Sequence, residues 1–236
     1  MIITNTSFES PYIEQLLVFL QSLKMNSPKD VVNVLLVNYS IDKERMLKNI
    51  FSKFKFENRT MEILEDKRFS FIIFRAMLIK EYFEKYKSPV AWIDTDVIIR
   101  KDLSEFLQIE SNQLKILYRG LPLNPGPADS PINAGIFNIG YSEATYDFIC
   151  DWYKGCLANP VWGQGQMIFW NMYKKYSDEI ELIKMPNKFN DIGGNGSFSS
   201  ESVMWHCKQK HFNNPIFQKE FQIYLKKVVD DHGRIF

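Results

Sequence analysis

The stretch Val90-Ala91-Trp92-Ile93-Asp94-Thr95-Asp96-Val97-Ile98-Ile99 sets two acids, one residue apart, inside an otherwise apolar run. Introduced by Ser88-Pro89, the residues before the acids have the length and apolarity of a buried strand. An ionised carboxylate is costly to bury unless its charge is compensated. A divalent cation, which takes hard oxygen ligands, supplies that compensation at the end of a buried strand. Asp94-Thr95-Asp96 therefore reads as a metal site, and a metal in such a place commonly holds phosphates. The competing reading has one acid capping the next turn and the other solvated.

On the N-terminal side of this stretch, strand and helix patterns alternate. Residues 2–4 read as a short strand, and residues 11–24 as a helix with apolar spacing at Ile13, Leu16, Leu17, Leu20 and Leu23, started by Ser10-Pro11. Residues 31–37 read as a β-branched strand, 41–54 as a helix and 61–64 as a third strand. Residues 71–87 read as a helix apolar on most sides, hence packed on the sheet. Such alternation indicates βαβ units and a mostly parallel sheet. Ligands of these sheets sit at the carboxyl ends of the strands. Asp94 and Asp96, Thr4 and Asn5, and Asn38 and Tyr39 all fall at such ends, so they point to a nucleotide site.

The C-terminal side is less regular. Strands are expected over 114–118, 134–139, 181–185 and 203–208, and helices over 142–157, 166–176 and 215–229. Proline and glycine between Gly120 and Asn133 mark a long loop. No repeat, low-complexity tract or linker divides the chain. One domain over 1–236 is expected, with a nucleotide-binding half at 1–108 and an acceptor-side half at 109–236.

Composition narrows the classes. The chain has 236 residues, 45% hydrophobic and 15% aromatic, enough for a large core without disulfide or metal staples. Its 29 basic residues balance 28 acidic ones, so no electrostatic footprint for nucleic acid exists. Cys150, Cys156 and Cys207 have no paired spacing, which favours a reducing, cytoplasmic setting. No stretch approaches the length of a membrane span, so any membrane association would be peripheral. Trp152, Trp170 and Trp205 read as core residues, and loop residue Trp162 as a candidate platform for a sugar.

With these pieces in order, the chain resembles the GT-A-fold, nucleotide-sugar-dependent glycosyltransferases, most of all their family 8-like group. Five ordered landmarks carry the resemblance: Phe74-Arg75; Trp92 to Asp96; Ile132-Asn133-Ala134-Gly135-Ile136-Phe137-Asn138-Ile139; Gly165-Gln166; and Met204-Trp205-His206-Cys207-Lys208. The resemblance implies an α/β GT-A fold with a Rossmann-like, mostly parallel central sheet flanked by helices. It implies that Asp94 and Asp96 hold Mn²⁺ or Mg²⁺ and touch the nucleotide ribose, with His206 completing the metal shell. Arg75 would contact the nucleotide sugar, a UDP- or GDP-sugar for example. Asn133 and Gly135 would line the donor sugar pocket, Gln166 would face the sugar, and Thr4 and Asn5 would lie on the nucleotide side. The chain departs from the family pattern at Gly165, where an aspartate is usual. Gln209 stands where glycine is usual, and Lys208 or Lys210 would supply the phosphate-binding cation.

These residue types suit the chemistry. The departing nucleoside diphosphate gains negative charge as the sugar carbon becomes oxocarbenium-like. Mn²⁺ accepts an imidazole more readily than Mg²⁺ does, so Mn²⁺ is the expected activator. Inversion would require a carboxylate base, for which Asp129, Asp151 and Asp191 are candidates; the resemblance favours retention. Residues 193–200, rich in glycine and serine, read as a candidate lid or as a surface loop. The acceptor class covers glycan, lipid-linked and protein hydroxyls, in polysaccharide biosynthesis by analogy. Two other functions compete. A sugar-1-phosphate nucleotidyltransferase shares such a nucleotide-binding half, but its glycine-rich basic loop is missing from Thr4-Asn5-Thr6-Ser7-Phe8. An inactive binding module would have no need of three metal ligands. His206, Cys207 and His211 lack the paired spacing of a structural zinc site.

Overall fold

The motif that was read as one apolar run divides into two strands belonging to different sheets. In a computed structural model, which describes residues 1–7, 12–64, 67–120, 130–159, 164–193, 197–207 and 213–233, β4 (Val90–Ile93) ends at the first acid and β5 (Val97–Ile99) begins after the second. The other strands are β1 (Ile2–Ser7), β2 (Val32–Val37), β3 (Lys55–Arg59), β6 (Gln113–Tyr118), β7 (Ile132–Ile139), β8 (Glu181–Lys184) and β9 (Met204–His206). The helices are α1 (Tyr12–Asn26), α2 (Ile41–Ile50), α3 (Lys67–Tyr86), α4 (Ser104–Leu107), α5 (Glu143–Ala158), α6 (Gly165–Lys175) and α7 (Pro215–His232).

Seven strands form the main sheet in the order β3-β2-β1-β4-β7-β6-β8, and β5 pairs with β9 in a second sheet. The pairs β1–β4, β2–β3 and β6–β8 are parallel, while β7 is antiparallel to β4 and β6. The architecture is thus α/β with a largely parallel sheet flanked by helices, as expected from the strand–helix alternation.

The chain forms two compact units, each assembled from separate segments: Met1–Asn5, Met61–Ile93 and Leu107–Met185 in one, and Thr6–Thr60, Asp94–Phe106 and Pro186–Phe236 in the other. In the first, α3 packs on α5, α5 on α6 and α6 on β7. Its core holds Trp92, Phe137, Phe148, Trp152 and Phe169, all about fully buried. Phe169 meets Phe137, Phe148 and Trp152 edge-on with centroids 4.8–5.4 Å apart, a favoured aromatic geometry. Helix α5 begins with a capping box, Ser142 Oγ accepting from the Thr145 amide and Thr145 Oγ1 from the Ser142 amide. In the second unit, α1 packs against α7 and β5. The apolar spacing of α1 is realised: Ile13, Leu16, Leu17, Leu20 and Leu23 are buried. Helix α7 starts at Asn214, whose side chain accepts from Ile216 and Phe217 amides, with Pro215 in its first turn. It stops at Gly233, which has φ of 78°.

Several sequence expectations are corrected. Residues 61–64 form no strand, and the third strand is Lys55–Arg59 instead. This strand is polar and lies at the sheet edge, so it needs no apolar alternation. Helix α2 ends at Ile50, short of the expected Phe54, because the chain turns at 51–53 into β3. Strand β1 continues to Ser7, which puts Thr4 and Asn5 inside the strand and not at its end. Trp170 is half-buried, beside Tyr118 and Tyr173 with centroids 5.7 and 5.3 Å away. It is a margin residue, in contrast to buried Trp152 and Trp205. Among the described residues, no helix is long and apolar enough to cross a membrane.

Candidate functional site

Asp94 and Asp96 occupy the turn between β4 and β5, with about a quarter of each side chain exposed. The second sheet brings the histidine to them. β5 runs antiparallel to β9 with Val97 opposite His206, and the Cys207 amide donates to the Asp96 carbonyl at 3.0 Å. On its other side β9 bridges to Asp191: the His206 amide donates to the Asp191 carbonyl at 2.8 Å, and the Asp191 amide to the Met204 carbonyl at 3.2 Å. The backbone of His206 is therefore held from both flanks.

Strand alternation sends neighbouring side chains opposite ways. Trp205 and Cys207 enter an apolar cluster with Val18, Ile98, Phe198, Phe217 and Phe221. His206 turns to the acids and is 1% exposed. Its Nε2 lies 3.2 Å from Asp96 Oδ1 and 4.0 Å from Asp94 Oδ2. One ligand atom from each of the three side chains falls within 4.8 Å of the other two. Two carboxylate oxygens and one imidazole nitrogen form a donor set of mixed hardness, so the residues fit a divalent cation. Cys207 packs in the apolar cluster, where burial and the Asp96 charge push its thiol up to about 12.

Asn190, absent from the sequence reading, completes this corner. It follows a 3₁₀ turn at Asn187–Phe189 and is 1% exposed. Its Oδ1 lies 2.9 Å from His206 Nδ1, the ring nitrogen facing away from the acids. Locally Asn190 looks like any loop asparagine, and only the pairing of β9 with residue 191 brings it to the ring.

In the first unit, four other nominated residues gather along residues 133–135 of β7. The Arg75 guanidinium donates to the Ala134 carbonyl and lies over the Trp92 ring at 4.8 Å. Gln166 Oε1 accepts from the Ala134 amide at 3.1 Å. Asn133 Oδ1 accepts from the Gly135 amide at 3.0 Å. Asn133 is fully buried, and its Nδ2 has no hydrogen-bond partner among the described residues. Gly165, where an aspartate was expected, has a packing reason: an added Cβ would stand 2.7 Å from Ile72 Cγ2. Thr4 is wholly buried, and Asn5 donates to the Phe71 carbonyl at 3.1 Å. In the second unit Tyr39, buried, donates to the Ser7 carbonyl at 3.1 Å.

Two of the carboxylates weighed as bases are engaged in structure. Asp191 accepts from the Gly193 amide, the Ser199 amide and the Ser202 hydroxyl at 3.0, 2.8 and 2.6 Å. It thereby ties down both described ends of the glycine- and serine-rich segment, where Phe198 also packs on Gly193. Asp151 accepts from the Tyr176 hydroxyl at 3.0 Å and neighbours Lys154 and Lys175. Asp129, Trp162, Lys208, Lys210, His211 and residues 194–196 lie outside the described residues.

The fold defines a class: it is the α/β fold found in glycosyltransferases. The glycosyltransferase GlyE of Streptococcus pneumoniae TIGR4 matches with a TM-score of 0.61 at 14% identity, over 99% of this chain and 64% of GlyE. A glycosyltransferase involved in the glycosylation of the major capsid of PBCV-1 matches with a TM-score of 0.54 at 14% identity, over 94% of this chain and 98% of that one. Mouse xyloside xylosyltransferase 1 matches at 0.55 and 14% identity, over 89% of this chain and 98% of the mouse protein. The chain thus spans less than two thirds of GlyE's length, and at these identities the likeness is one of fold. No family model and no curated protein sequence matches the chain.

Proposed function

We propose that this protein is a metal-dependent glycosyltransferase of the family 8-like kind. It moves a sugar from a nucleoside-diphosphate donor to a hydroxyl of a glycan, lipid-linked or protein acceptor. The observation that carries this reading is the gathering of Asp94, Asp96 and His206 in a fold shared with glycosyltransferases. These three residues would hold Mn²⁺ or Mg²⁺. When bound, the ion neutralises the charge that develops on the departing diphosphate.

The chain's own residues supply the rest of the reading. Asn133 offers a buried N–H donor to a sugar hydroxyl. A sugar oxygen there would satisfy a group whose burial without a partner costs about 1–3 kcal/mol. Arg75 and Gln166 hold the 133–135 backbone in place through the carbonyl and the amide of Ala134. Lys208 or Lys210 adds a cation toward the leaving phosphate, a role that needs little geometric precision. Retention of configuration is the preferred outcome, supported by the structural engagement of Asp151 and Asp191. The free thiols at 150, 156 and 207 are in keeping with a reducing compartment.

The test is incubation with Mn²⁺ and a panel of UDP- and GDP-sugars, measuring released nucleoside diphosphate. Release of the diphosphate from one donor, increased by an acceptor, supports transfer. Consumption of pyrophosphate instead would move the protein to the nucleotidyltransferases, and binding without turnover would make it an inactive module. Proton NMR of the first-formed product then reads retention directly, and clean inversion would reject it.

A further inference from the structure

We infer that Asn190 is a positioning residue for the metal centre: it accepts a hydrogen bond from His206 Nδ1–H and so turns the Nε2 lone pair toward Asp94 and Asp96. The inference rests on the metal reading above and deepens it.

A neutral imidazole carries one N–H and one lone pair, and the partner of either nitrogen decides which is which. Here the two nitrogens face different chemistry. Nε2 looks at two carboxylate oxygens, 3.2 and 4.0 Å away. Nδ1 looks at the Asn190 carboxamide oxygen, 2.9 Å away, in a place where both residues are 1% exposed. With water excluded from Nδ1, Asn190 is the group that sets the tautomer. An oxygen there requires Nδ1–H, which leaves Nε2 as an acceptor facing two other acceptors. Three acceptor atoms so placed can bind one cation together. The opposite arrangement, with the amide nitrogen donating to Nδ1, would place Nε2–H against Asp96 and block the ligand position.

The backbone adds to the argument. Asn190 and Asp191 are consecutive, and residue 191 is bridged to the strand that carries His206. The ring and its orienting amide are thus fixed to one local frame, as outer-shell partners of metal-ligating histidines commonly are. Asp191 in turn accepts hydrogen bonds from Gly193, Ser199 and Ser202, so these residues and the ring share that frame.

Asn190→Asp and Asn190→Ala separate the possibilities. Aspartate has nearly the shape of asparagine but only accepts. The measurement is the Kd for Mn²⁺ alone, from the electron paramagnetic resonance signal of free Mn²⁺, with no donor or acceptor substrate present. Wild type, His206→Ala and the two variants are compared, with circular dichroism reporting the fold. Asn190→Asp should bind Mn²⁺ as tightly as wild type or tighter, and Asn190→Ala about 10–100-fold more weakly. A loss of tenfold or more in Asn190→Asp would make the native group a donor and overturn the inference, whether or not Asn190→Ala folds. Unchanged affinity in a folded Asn190→Ala would overturn it too. If wild type itself shows no Mn²⁺ uptake that His206→Ala abolishes, the metal reading falls, and this inference with it.

Discussion

Asp96 and His206 are 110 positions apart in sequence, and the pairing of β5 with β9, extended by the Cys207 amide donating to the Asp96 carbonyl, sets them side by side. Because that pairing is made by backbone groups, the Asp96 carboxylate can be removed without disturbing it. Asp96→Ala should therefore keep its circular dichroism spectrum while sugar transfer falls by about 10²–10³-fold; near-normal turnover would contradict the assigned role. Mn²⁺ should also activate better than Mg²⁺, since the site includes an imidazole, and equal rates would count against His206 as a ligand. Asp94 and Asp96 stood out in the sequence because two acids inside an apolar run have few physical explanations, whereas His206 was nominated only through the family resemblance. Asn190 was illegible because its role comes from a contact 16 residues away in sequence.

At the scale of elements, burial made some segments readable and left others silent. Helix α1 and strands β4 and β7 were anticipated, because a buried face leaves a periodic or continuous apolar trace. Strand β3 left none: Lys55-Phe56-Glu57-Asn58-Arg59 pairs along β2 at an edge, and half-exposed side chains carry no pattern. The separate β5–β9 sheet was hidden for a different reason. Strand β9 falls within the strand expected over 203–208, but β5 has three residues, too few for period analysis, and nothing in either segment names its partner. The departure at Gly165 acquires a cause only through its approach to Ile72 in α3. Gly165→Ala should destabilise the protein by about 1–3 kcal/mol through overpacking, measured by urea denaturation. A stability equal to wild type would show that Ile72 yields easily. Restoring an aspartate there should likewise cost stability.

For the whole molecule, stability and ligand binding are linked. Mn²⁺ with UDP binds only the folded chain on this account, so saturation at about 100 times Kd should add roughly 2.7 kcal/mol. The melting temperature should rise with both present and return to baseline with EDTA. No shift, or one that survives in His206→Ala, would place any binding elsewhere. Alkali should act through the buried thiols. Cys156 and Cys207 are both pushed from 9.0 to about 12, chiefly by burial. A thiol whose folded pKa is raised contributes stability fully below about pH 9, and that contribution is lost as pH climbs from 9 toward 12. Both should resist iodoacetamide at pH 8 until the chain is unfolded, as read by mass spectrometry, and rapid native labelling of either would contradict their burial.

The central claim is that a divalent ion sits among residues 94, 96 and 206. Anomalous diffraction at the manganese edge, from crystals soaked in MnCl₂ and UDP, tests it most directly. A peak bonded to both carboxylates and to His206 Nε2 is the predicted result. Nucleotide density without a peak at that corner, or a peak coordinated elsewhere, would contradict it.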